Sequence, residues 1–111
     1  MSDIASVRVG KFEWQSDISP KKMTWQEAKD YAESLGDGWR LPTRTELLTL
    51  VDDTKYDPAC SVFPDCPSEW FWTSTLRAGS SSYAWSVDFY SGYAYDGYVV
   101  SASISRVRCV R

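Results

Sequence analysis

Apolar residues recur at helical spacing in two segments of the first half of the chain. In the first segment, Thr24 precedes the apolar residues and Glu27 follows it by three positions, which is the pattern of a capping box. Gly36 predicts the helix end, because glycine readily accepts the left-handed conformation found there. The apolar stripe of this predicted helix comprises Trp25, Ala28, Tyr31, Ala32 and Leu35.

The second helical segment follows a proline. Pro42 disfavours helical geometry at Leu41, and Thr43 forms a second capping box with Glu46. The apolar face of this predicted helix comprises Leu47, Leu48, Leu50 and Val51. Residues 52–67 contain three prolines and predict a long irregular loop.

Strand patterns occupy the remainder of the chain. Strands are predicted at residues 7–14, 70–74, 84–89, 98–100 and 106–110. Alternation within residues 84–89 directs Trp85, Val87 and Phe89 toward the core. Ser86 and Asp88 would then face solvent. Because the two helices precede a run of strands, the order predicts an α+β fold with a small, mainly antiparallel sheet.

Length and charge narrow the possible partners. The 111 residues suit one domain, so residues 1–111 are predicted to form a single ligand-binding domain. The net charge of −3 argues against nucleic acid as a partner, because non-specific binding of nucleic acid needs basic patches that neutralise phosphates. Arg106, Arg108 and Arg111 form a local basic cluster, which is predicted to be a solvated face.

No segment has the composition of a membrane span or of a signal peptide. A membrane-spanning helix needs roughly 20 apolar residues, so no membrane insertion is predicted. Residues 1–10 lack the apolar core of a signal peptide. A position at the cell surface or on a virion would therefore require that this domain be part of a longer chain.

The three cysteines leave two interpretations open. Cys60 and Cys66 are separated by five residues, a spacing that allows a small disulfide loop. Alternatively, these two residues and Cys109 are all buried thiols, and the redox compartment decides between the two states. The chain contains no histidine and no C-x-x-C pair, so neither a zinc site nor any other cofactor is predicted.

Three sequence motifs, in this order, carry a family resemblance. They are M-T-W-Q-E-A at residues 23–28, W-R-L-P-T at 39–43 with Glu46 and Leu47, and A-W-S-V-D-F at 84–89 with Gly92, ending in V-R-C-V-R at 107–111. Together they resemble the Lcl C-terminal domain family, a C-type-lectin-like group named for a collagen-like bacterial adhesin. The resemblance implies a C-type-lectin-like fold in which the terminal strands pair, two helices flank the sheet and a long loop region carries the ligand site.

The sequence departs from the family pattern in two ways. Family members often carry a cysteine in the first helix that could pair with the C-terminal cysteine, and this helix has none. Cys109 is therefore expected to fill the core as a small apolar residue. The calcium-dependent sugar-binding motifs of this fold are also missing, and the chain contains no asparagine. Calcium-dependent sugar binding is not predicted.

The composition changes in residues 78–105. This candidate variable region contains 8 serines and 5 of the 7 tyrosines, but no Lys, Glu, Gln or Met. The preceding 77 residues contain 14 residues of those four types, so about five would be expected here. Strand and turn preferences explain part of the bias. Five tyrosines within residues 83–98 are nevertheless too many for one small core.

The codon table offers a second explanation of the bias. If adenines of AAC or AAT codons are replaced, Ser, Tyr, Asp, Gly, Ala, Val and Ile are reachable, whereas Lys, Glu, Gln, Met and Trp are not. Apart from Trp85 and Phe89, the segment uses these reachable residues. It thereby resembles the variable proteins of diversity-generating retroelements, which place adenine-directed variation near the C-terminus of a C-type-lectin-like scaffold.

A surface rich in Tyr, Ser and Gly suits ligand binding, because tyrosine offers large contact area at low entropic cost and the small residues adapt. Tyr90, Tyr93, Tyr95 and Tyr98 are the predicted aromatic anchors. Asp88 and Asp96 would favour a basic or donor-rich ligand. The complete predicted site is Tyr83, Ser86, Asp88, Tyr90, Ser91, Tyr93, Tyr95, Asp96, Tyr98, Ser101 and Ser103.

Three functions compete for this surface. The predicted function is recognition of a protein or other cell-surface ligand by a diversified site. The alternative is a carbohydrate-binding adhesin or lectin domain that works without calcium motifs. An enzyme is the third, because the fold also occurs in formylglycine-generating enzymes, which need a reactive cysteine pair in a cleft. No histidine or paired acid accompanies Cys60 and Cys66 in sequence, so no enzyme is predicted.

Overall fold

The computed structural model describes residues 5–60, 62–63, 66–79, 82–98 and 105–111, with the backbone alone at 96–98. Two helices and five strands lie within these residues, and they confirm the predicted α+β class. The elements are β1 Ser6–Val9, β2 Phe12–Gln15, α1 Trp25–Leu35, α2 Arg44–Leu48, β3 Trp70–Leu76, β4 Tyr83–Asp88 and β5 Tyr93–Tyr98. Within this described part of the chain, no helix is long and apolar enough to cross a membrane.

The N-terminal segment is a hairpin and not the single strand predicted over residues 7–14. β1 and β2 pair antiparallel, with Val7 opposite Trp14 and Val9 opposite Phe12. Gly10 lies in the intervening turn with φ of 62°, a conformation that glycine adopts without steric cost. Apolar residues alternate at 7 and 9 and again at 12 and 14, and the one-strand prediction overlooked the change of phase at Gly10 and Lys11.

Both helices begin where the capping boxes predicted. The hydroxyl of Thr24 accepts a hydrogen bond from the Glu27 amide, and the Glu27 carboxylate accepts one from the Thr24 amide. Thr43 and Glu46 make the same reciprocal pair at the start of α2. Each box satisfies amide groups that would otherwise lack partners at a helix end.

The larger sheet has the order β3-β4-β5, and both pairings are antiparallel. β5 spans Tyr93–Tyr98, whereas the sequence predicted a strand only from residue 98 onward. Residues 99 and 100 of that predicted strand lie outside the described part of the chain. β5 was missed because its alternating residues are tyrosine, alanine and glycine and not the aliphatic residues typical of a core-facing strand.

Residues 105–111 connect the two sheets. The amides of Glu13 and Arg111 each donate to the other's carbonyl, and Trp14 bridges Val110 in antiparallel register. On its other side the segment bridges β3, with Phe71 parallel to Arg106. The pairing of the terminal segments implied by the family resemblance is thus confirmed. The predicted strand at 106–110 is an extended segment held by isolated bridges and not by a continuous ladder.

The buried side chains form two clusters. One includes Trp14, Leu47, Phe71, Val87 and Phe89 and lies where the smaller sheet, α2 and the larger sheet meet. The other gathers the buried residues of α1 with residues of β3, β4 and the C-terminal segment: Met23, Ala28, Ala32, Trp39, Leu41, Trp72, Ala84, Val107 and Cys109. Cys109 is fully buried there, which confirms its predicted role as a small core residue, and burial raises its pKa to about 12.

The prediction that the C-terminal arginines form a solvated face is wrong for Arg108 and Arg106, whereas Arg111 is exposed. Arg108 is only 3% exposed, and its Nη1 donates to the carbonyls of Gln15 and Ser16 at 2.7 and 2.8 Å. Arg106 is half-buried and pairs with Glu69, with 2.6 Å between Nε and Oε2. Hydrogen bonds to these two carbonyls offset part of the cost of desolvating the Arg108 guanidinium, because a buried charge is tolerated only where it has partners.

Replacing Arg108 tests this assignment. We expect Arg108→Ala to lower the free energy of unfolding by about 2–3 kcal/mol, because the buried Gln15 carbonyl and the part-buried Ser16 carbonyl lose their donor and side-chain packing is removed. Urea denaturation followed by tryptophan fluorescence measures the change. Arg8→Ala, at an exposed arginine of β1, is the matched control and should change stability by less than about 0.5 kcal/mol. Equal effects of the two substitutions would contradict a structural role for Arg108.

Candidate ligand-binding surface

Three aromatic side chains form a continuous exposed group on one face of the larger sheet. In register, Trp70 lies opposite Asp88 and Asp88 opposite Tyr93, while Ser86 lies opposite Tyr95 on the next row. The exposed fractions of Trp70, Tyr93 and Tyr95 are 41%, 64% and 44%. The ring centroids of Trp70 and Tyr95 are 4.8 Å apart, and those of Tyr93 and Tyr95 are 6.4 Å apart. We call these three residues the aromatic patch.

The opposite face of the same strands is buried, which fixes the patch on a packed support. Phe71, Val87 and Ala94 are paired across β3, β4 and β5 on that opposite face and pack into the cluster around Trp14. Because strand residues alternate between faces, Trp70, Tyr93 and Tyr95 lie on the other face, which is exposed at these positions and buried at Trp72 and Ser86. A core anchored in this way holds the patch rings in place before any ligand arrives.

Ser86 does not face solvent as predicted. It is 4% exposed, and its hydroxyl donates to the Tyr95 carbonyl at 3.2 Å. β4 is the central strand, so Ser86 has Trp72 and Tyr95 as its cross-strand neighbours. The large side chains of the flanking strands cover the small side chain between them, and Ser86 is therefore part of the support and not of the surface.

Of the three residues at 85, 87 and 89 that were predicted to face the core, two are buried. Val87 and Phe89 are buried as expected. Trp85 is only half-buried, and the Arg44 guanidinium lies 4.4 Å from the centroid of its ring. The covering group on that part of the sheet is thus a stacked cation and not apolar core.

Asp88 organises the turn between β4 and β5. Its Oδ1 accepts a hydrogen bond from the Tyr90 amide at 2.9 Å, and its Oδ2 accepts one from the Ser91 hydroxyl at 3.1 Å. The Gly92 amide donates to the Asp88 carbonyl at 2.7 Å. The carboxylate is half-buried and committed to these contacts, so it does not supply the free charge for ligand recognition that the sequence suggested.

A second exposed aromatic pair lies at this turn. Tyr56 and Tyr90 are 74% and 50% exposed, and their rings meet edge to face at 6.4 Å. The loop that follows α2 is attached to the turn, because the Asp57 amide donates to the Tyr90 carbonyl. Gly92 is also tightly enclosed: a Cβ there would lie 2.9 Å from Val51 Cγ1. These contacts fix where the turn sits relative to the loop.

The other predicted site residues do not belong to the aromatic patch as the structure describes it. Tyr83 is half-buried, with the Arg77 guanidinium 5.0 Å from its ring centroid. Asp96 and Tyr98 belong to β5, of which the backbone is described at those positions. Ser101 and Ser103 lie outside the described residues.

Two aromatic residues of this surface were missed by the sequence analysis. Trp70 and Tyr56 both precede the compositionally biased region, so a search confined to residues 78–105 could not include them. The two-residue spacing of Trp70 and Trp72 places both on one face of a strand, but it does not distinguish the exposed Trp70 from the buried Trp72. Only the strand register shows that the Trp70 ring lies beside the Tyr95 ring, because β4 separates the two strands.

The described residues contain no cluster of three or more His, Cys, Asp or Glu side chains that could hold a metal ion. A cavity of about 360 Å³ opens beside α1, but its lining residues include none of the aromatic patch. Cys60 and Cys66 are buried free thiols here, so the predicted bridge between them stays a prediction.

Residues 8–111 match the model of the Lcl C-terminal domain family. The chain belongs to the Lcl C-terminal domain family. The match confirms the resemblance predicted from residue 23 onward and extends it through the N-terminal hairpin. A search of curated proteins finds no similar sequence.

The motifs that carry the Lcl C-terminal resemblance have structural roles in this chain. Arg40 makes a bidentate pair with Glu46, at 2.7 and 2.9 Å, while Glu46 also completes the capping box of α2. The Met23 carbonyl accepts from the Trp72 indole at 2.8 Å and from the Ser105 amide at 2.9 Å. The family motifs therefore stabilise the helix starts and the contacts between segments. Trp70, Tyr93 and Tyr95 of the aromatic patch lie outside these motifs.

Substitution of Asp88 tests its role in the turn. We expect Asp88→Ala to lower the free energy of unfolding by about 1–2 kcal/mol, because two hydrogen bonds of the turn lose their acceptor. Asp88→Asn is the matched control, since its amide oxygen can still accept from the Tyr90 amide, and it should cost less. Thermal denaturation of both variants measures the difference. Wild-type stability in Asp88→Ala would refute the structural assignment.

Proposed function

We propose that this Lcl C-terminal domain has a C-type-lectin-like fold and recognises a protein or other cell-surface ligand through the aromatic patch, and that it does not act as an enzyme. The observation that carries the proposal is the exposure of Trp70, Tyr93 and Tyr95 as one contacting group on a rigid sheet. Paired terminal segments and helices packed against the sheet support the fold assignment.

The chemistry of the patch favours a macromolecular ligand. Tyrosine and tryptophan bury large areas with few rotatable bonds, and they dominate the energetic centres of protein interfaces. Tyr90 and Tyr56 enlarge the aromatic area at the adjoining turn. Serine and glycine beside the tyrosines add small, adaptable contacts, as in antibody binding sites.

The charge of the region is consistent with a neutral or basic partner. Residues 78–105 contain two acids, Asp88 and Asp96, and no basic residue. Because the Asp88 carboxylate is held by the turn, it contributes to the local potential without pairing directly with a ligand. Such a surface would attract arginine- or lysine-bearing partners, whose cations also stack on aromatic rings.

Carbohydrate is the second candidate, and Trp70 specifically favours it. An indole ring that is 41% exposed and tilted against Tyr95 offers a flat apolar face on which a sugar ring can stack. Since the calcium motifs are absent from the sequence, any such binding would persist in EDTA. A place at the cell surface or on a virion, as part of a longer chain, would suit either ligand class.

We further propose that the exposed part of residues 78–105 is the variable surface of a diversity-generating retroelement product. Support comes from the match between residue type and position. Tyr90, Tyr93 and Tyr95 belong to types reachable from adenine-bearing codons and are exposed, whereas Trp85 is not reachable and is half-buried on the opposite face of the sheet. Variation confined to exposed positions would leave the fold unchanged.

The variable-surface proposal predicts a pattern among copies of the gene. Differences should concentrate at adenine-bearing codons for exposed residues within 78–105, and a neighbouring reverse transcriptase gene should accompany a near-identical template repeat. Sequencing of the locus and its copies measures both. Differences that are silent, or scattered over the whole gene, would overturn the retroelement proposal and leave the binding proposal standing.

The binding proposal predicts that two tyrosines matter for recognition and little for folding. We expect Tyr93→Ala and Tyr95→Ala each to weaken binding at least about tenfold, because each truncates a ring at the centre of the patch. An array of bacterial surface proteins and glycans, probed with and without EDTA, provides the ligand, and the variants are then titrated against it. The melting temperatures should change little, since both rings are exposed.

Two controls sharpen this experiment. Leu76→Ala removes an exposed apolar side chain at the far end of β3 from Trp70 and should leave binding unchanged. Phe89→Ala, at a buried ring, should lower the free energy of unfolding by about 3–5 kcal/mol. Its melting temperature is the reference for a variant that has lost a core ring. Large destabilisation by Tyr93→Ala, or undiminished binding by both tyrosine variants, would contradict the proposed site.

A further inference from the structure

Cys60 and Cys66 form a buried pair, of which Cys60 also lines a cavity. The side chains are hydrogen-bonded to each other and are 5% and 8% exposed as residues. They belong to the cluster that also contains Phe63, Phe71 and Phe89. Two neighbouring free thiols can be joined in a disulfide when an external disulfide first reacts with one of them.

A cavity of about 450 Å³ leads to Cys60 alone. Its lining residues are Thr54, Lys55, Tyr56, Pro58, Cys60 and Phe63. Cys66 is not among them, so this cavity gives a small molecule a route to Cys60 and not to Cys66. The cavity mouth bears a cationic Lys55 side chain, which favours an anionic reagent.

The surroundings of the pair stabilise a thiolate at Cys60. The hydrogen bond from the Cys66 thiol lowers the pKa of Cys60, and hydrogen bonds from the amides of Phe63 and Val62 act in the same direction. The buried Arg108 adds positive charge, with its guanidinium 3.7 Å from the Phe63 ring centroid. The same hydrogen bond and burial raise the pKa of Cys66. The pair is therefore asymmetric, with the accessible thiol also the more acidic one.

We propose that Cys60 and Cys66 are a redox-active pair in which Cys60 attacks a low-molecular-weight, anionic disulfide that enters the cavity and Cys66 resolves the product. In the first step the Cys60 thiolate bonds to one sulfur of the reagent, and the other sulfur leaves as a thiolate. Cys66 then loses its proton to solvent and attacks the Cys60 sulfur, which releases the second thiolate. Two protein thiols are oxidised to one disulfide, and one external disulfide is reduced to two thiols.

The pair adjoins the proposed binding surface without depending on it. Ala59, the residue before Cys60, donates its amide to the Phe89 carbonyl at 2.6 Å, and Tyr56 lies both on the cavity wall and beside Tyr90. The redox proposal nevertheless stands on the thiols, the cavity and Arg108. It would survive the failure of any ligand-binding experiment on the aromatic patch.

The test uses glutathione disulfide as the oxidant and the full chain, reduced beforehand, as the substrate. Peptide mapping by mass spectrometry should find a Cys60–Cys66 disulfide in the wild type. In Cys66→Ser the reaction should stop at a glutathione adduct on Cys60, and in Cys60→Ser position 66 should stay unmodified. Adduct formation at Cys66 in Cys60→Ser, as fast as at Cys60 in Cys66→Ser, would overturn the assignment of roles.

A second measurement needs no variant and so remains decisive if the serine variants fail to fold. A brief pulse of iodoacetamide on the reduced wild type, followed by peptide mapping, should label Cys60 at least about tenfold faster than Cys66 or Cys109. The labelling rate of Cys60 should reach half its maximum below pH 8.5, the ordinary cysteine value. Equal labelling of the three cysteines, or a midpoint at or above that pH, would refute an activated Cys60.

Discussion

Residues 105–111 exchange backbone hydrogen bonds with four separate parts of the chain. They bond to β2 through Glu13 and Gln15, to the segment before α1 through Ser19 and Met23, to the loop before α2 through Arg40, and to β3 through Trp70 and Trp72. A short segment with partners on several sides needs every amide and carbonyl satisfied where it is buried. β2, β3 and the segments that precede the two helices therefore lie around residues 105–111 and supply these partners.

Two side chains complete the enclosure of that segment. The Gln15 side chain accepts from the Cys109 amide through Oε1 and donates to the Tyr31 hydroxyl through Nε2. Arg108 adds a second link to the same residue, because its guanidinium donates to the Gln15 backbone carbonyl. The N-terminal hairpin, α1 and the C-terminal segment are thereby joined through a few polar contacts in a largely apolar interior. Such a network specifies one arrangement because each member would be left unsatisfied in another.

Features that depend on residues close together in sequence could be predicted, whereas features that depend on residues far apart in sequence could not. The capping boxes at Thr24 and Thr43 involve residues three positions apart, so both helix starts could be predicted. Arg108 reaches carbonyls 92 and 93 residues away, and nothing near it in sequence indicates that partner. Ser86 was assigned outward because alternation describes one strand, whereas its burial depends on neighbours from two others.

The same distinction applies to the candidate site. Tyrosine content and the absence of long charged residues indicated which segment to examine, since composition is visible without a structure. Register alone could add Trp70, whose strand lies outside that segment and whose ring meets Tyr95 across β4.

The geometry also narrows which positions could vary without loss of the fold. Asp88 and Gly92 are constrained by the turn, the first through its hydrogen bonds and the second through the close approach of Val51. Ser86 is constrained by the space between its neighbours. Tyr93 and Tyr95 are exposed and contribute to neither core cluster, so their side chains are the ones that other residues could replace at least cost. A binding surface that changes in sequence is compatible with this fold because the residues that define the turn and those that form the surface occupy different positions of one hairpin.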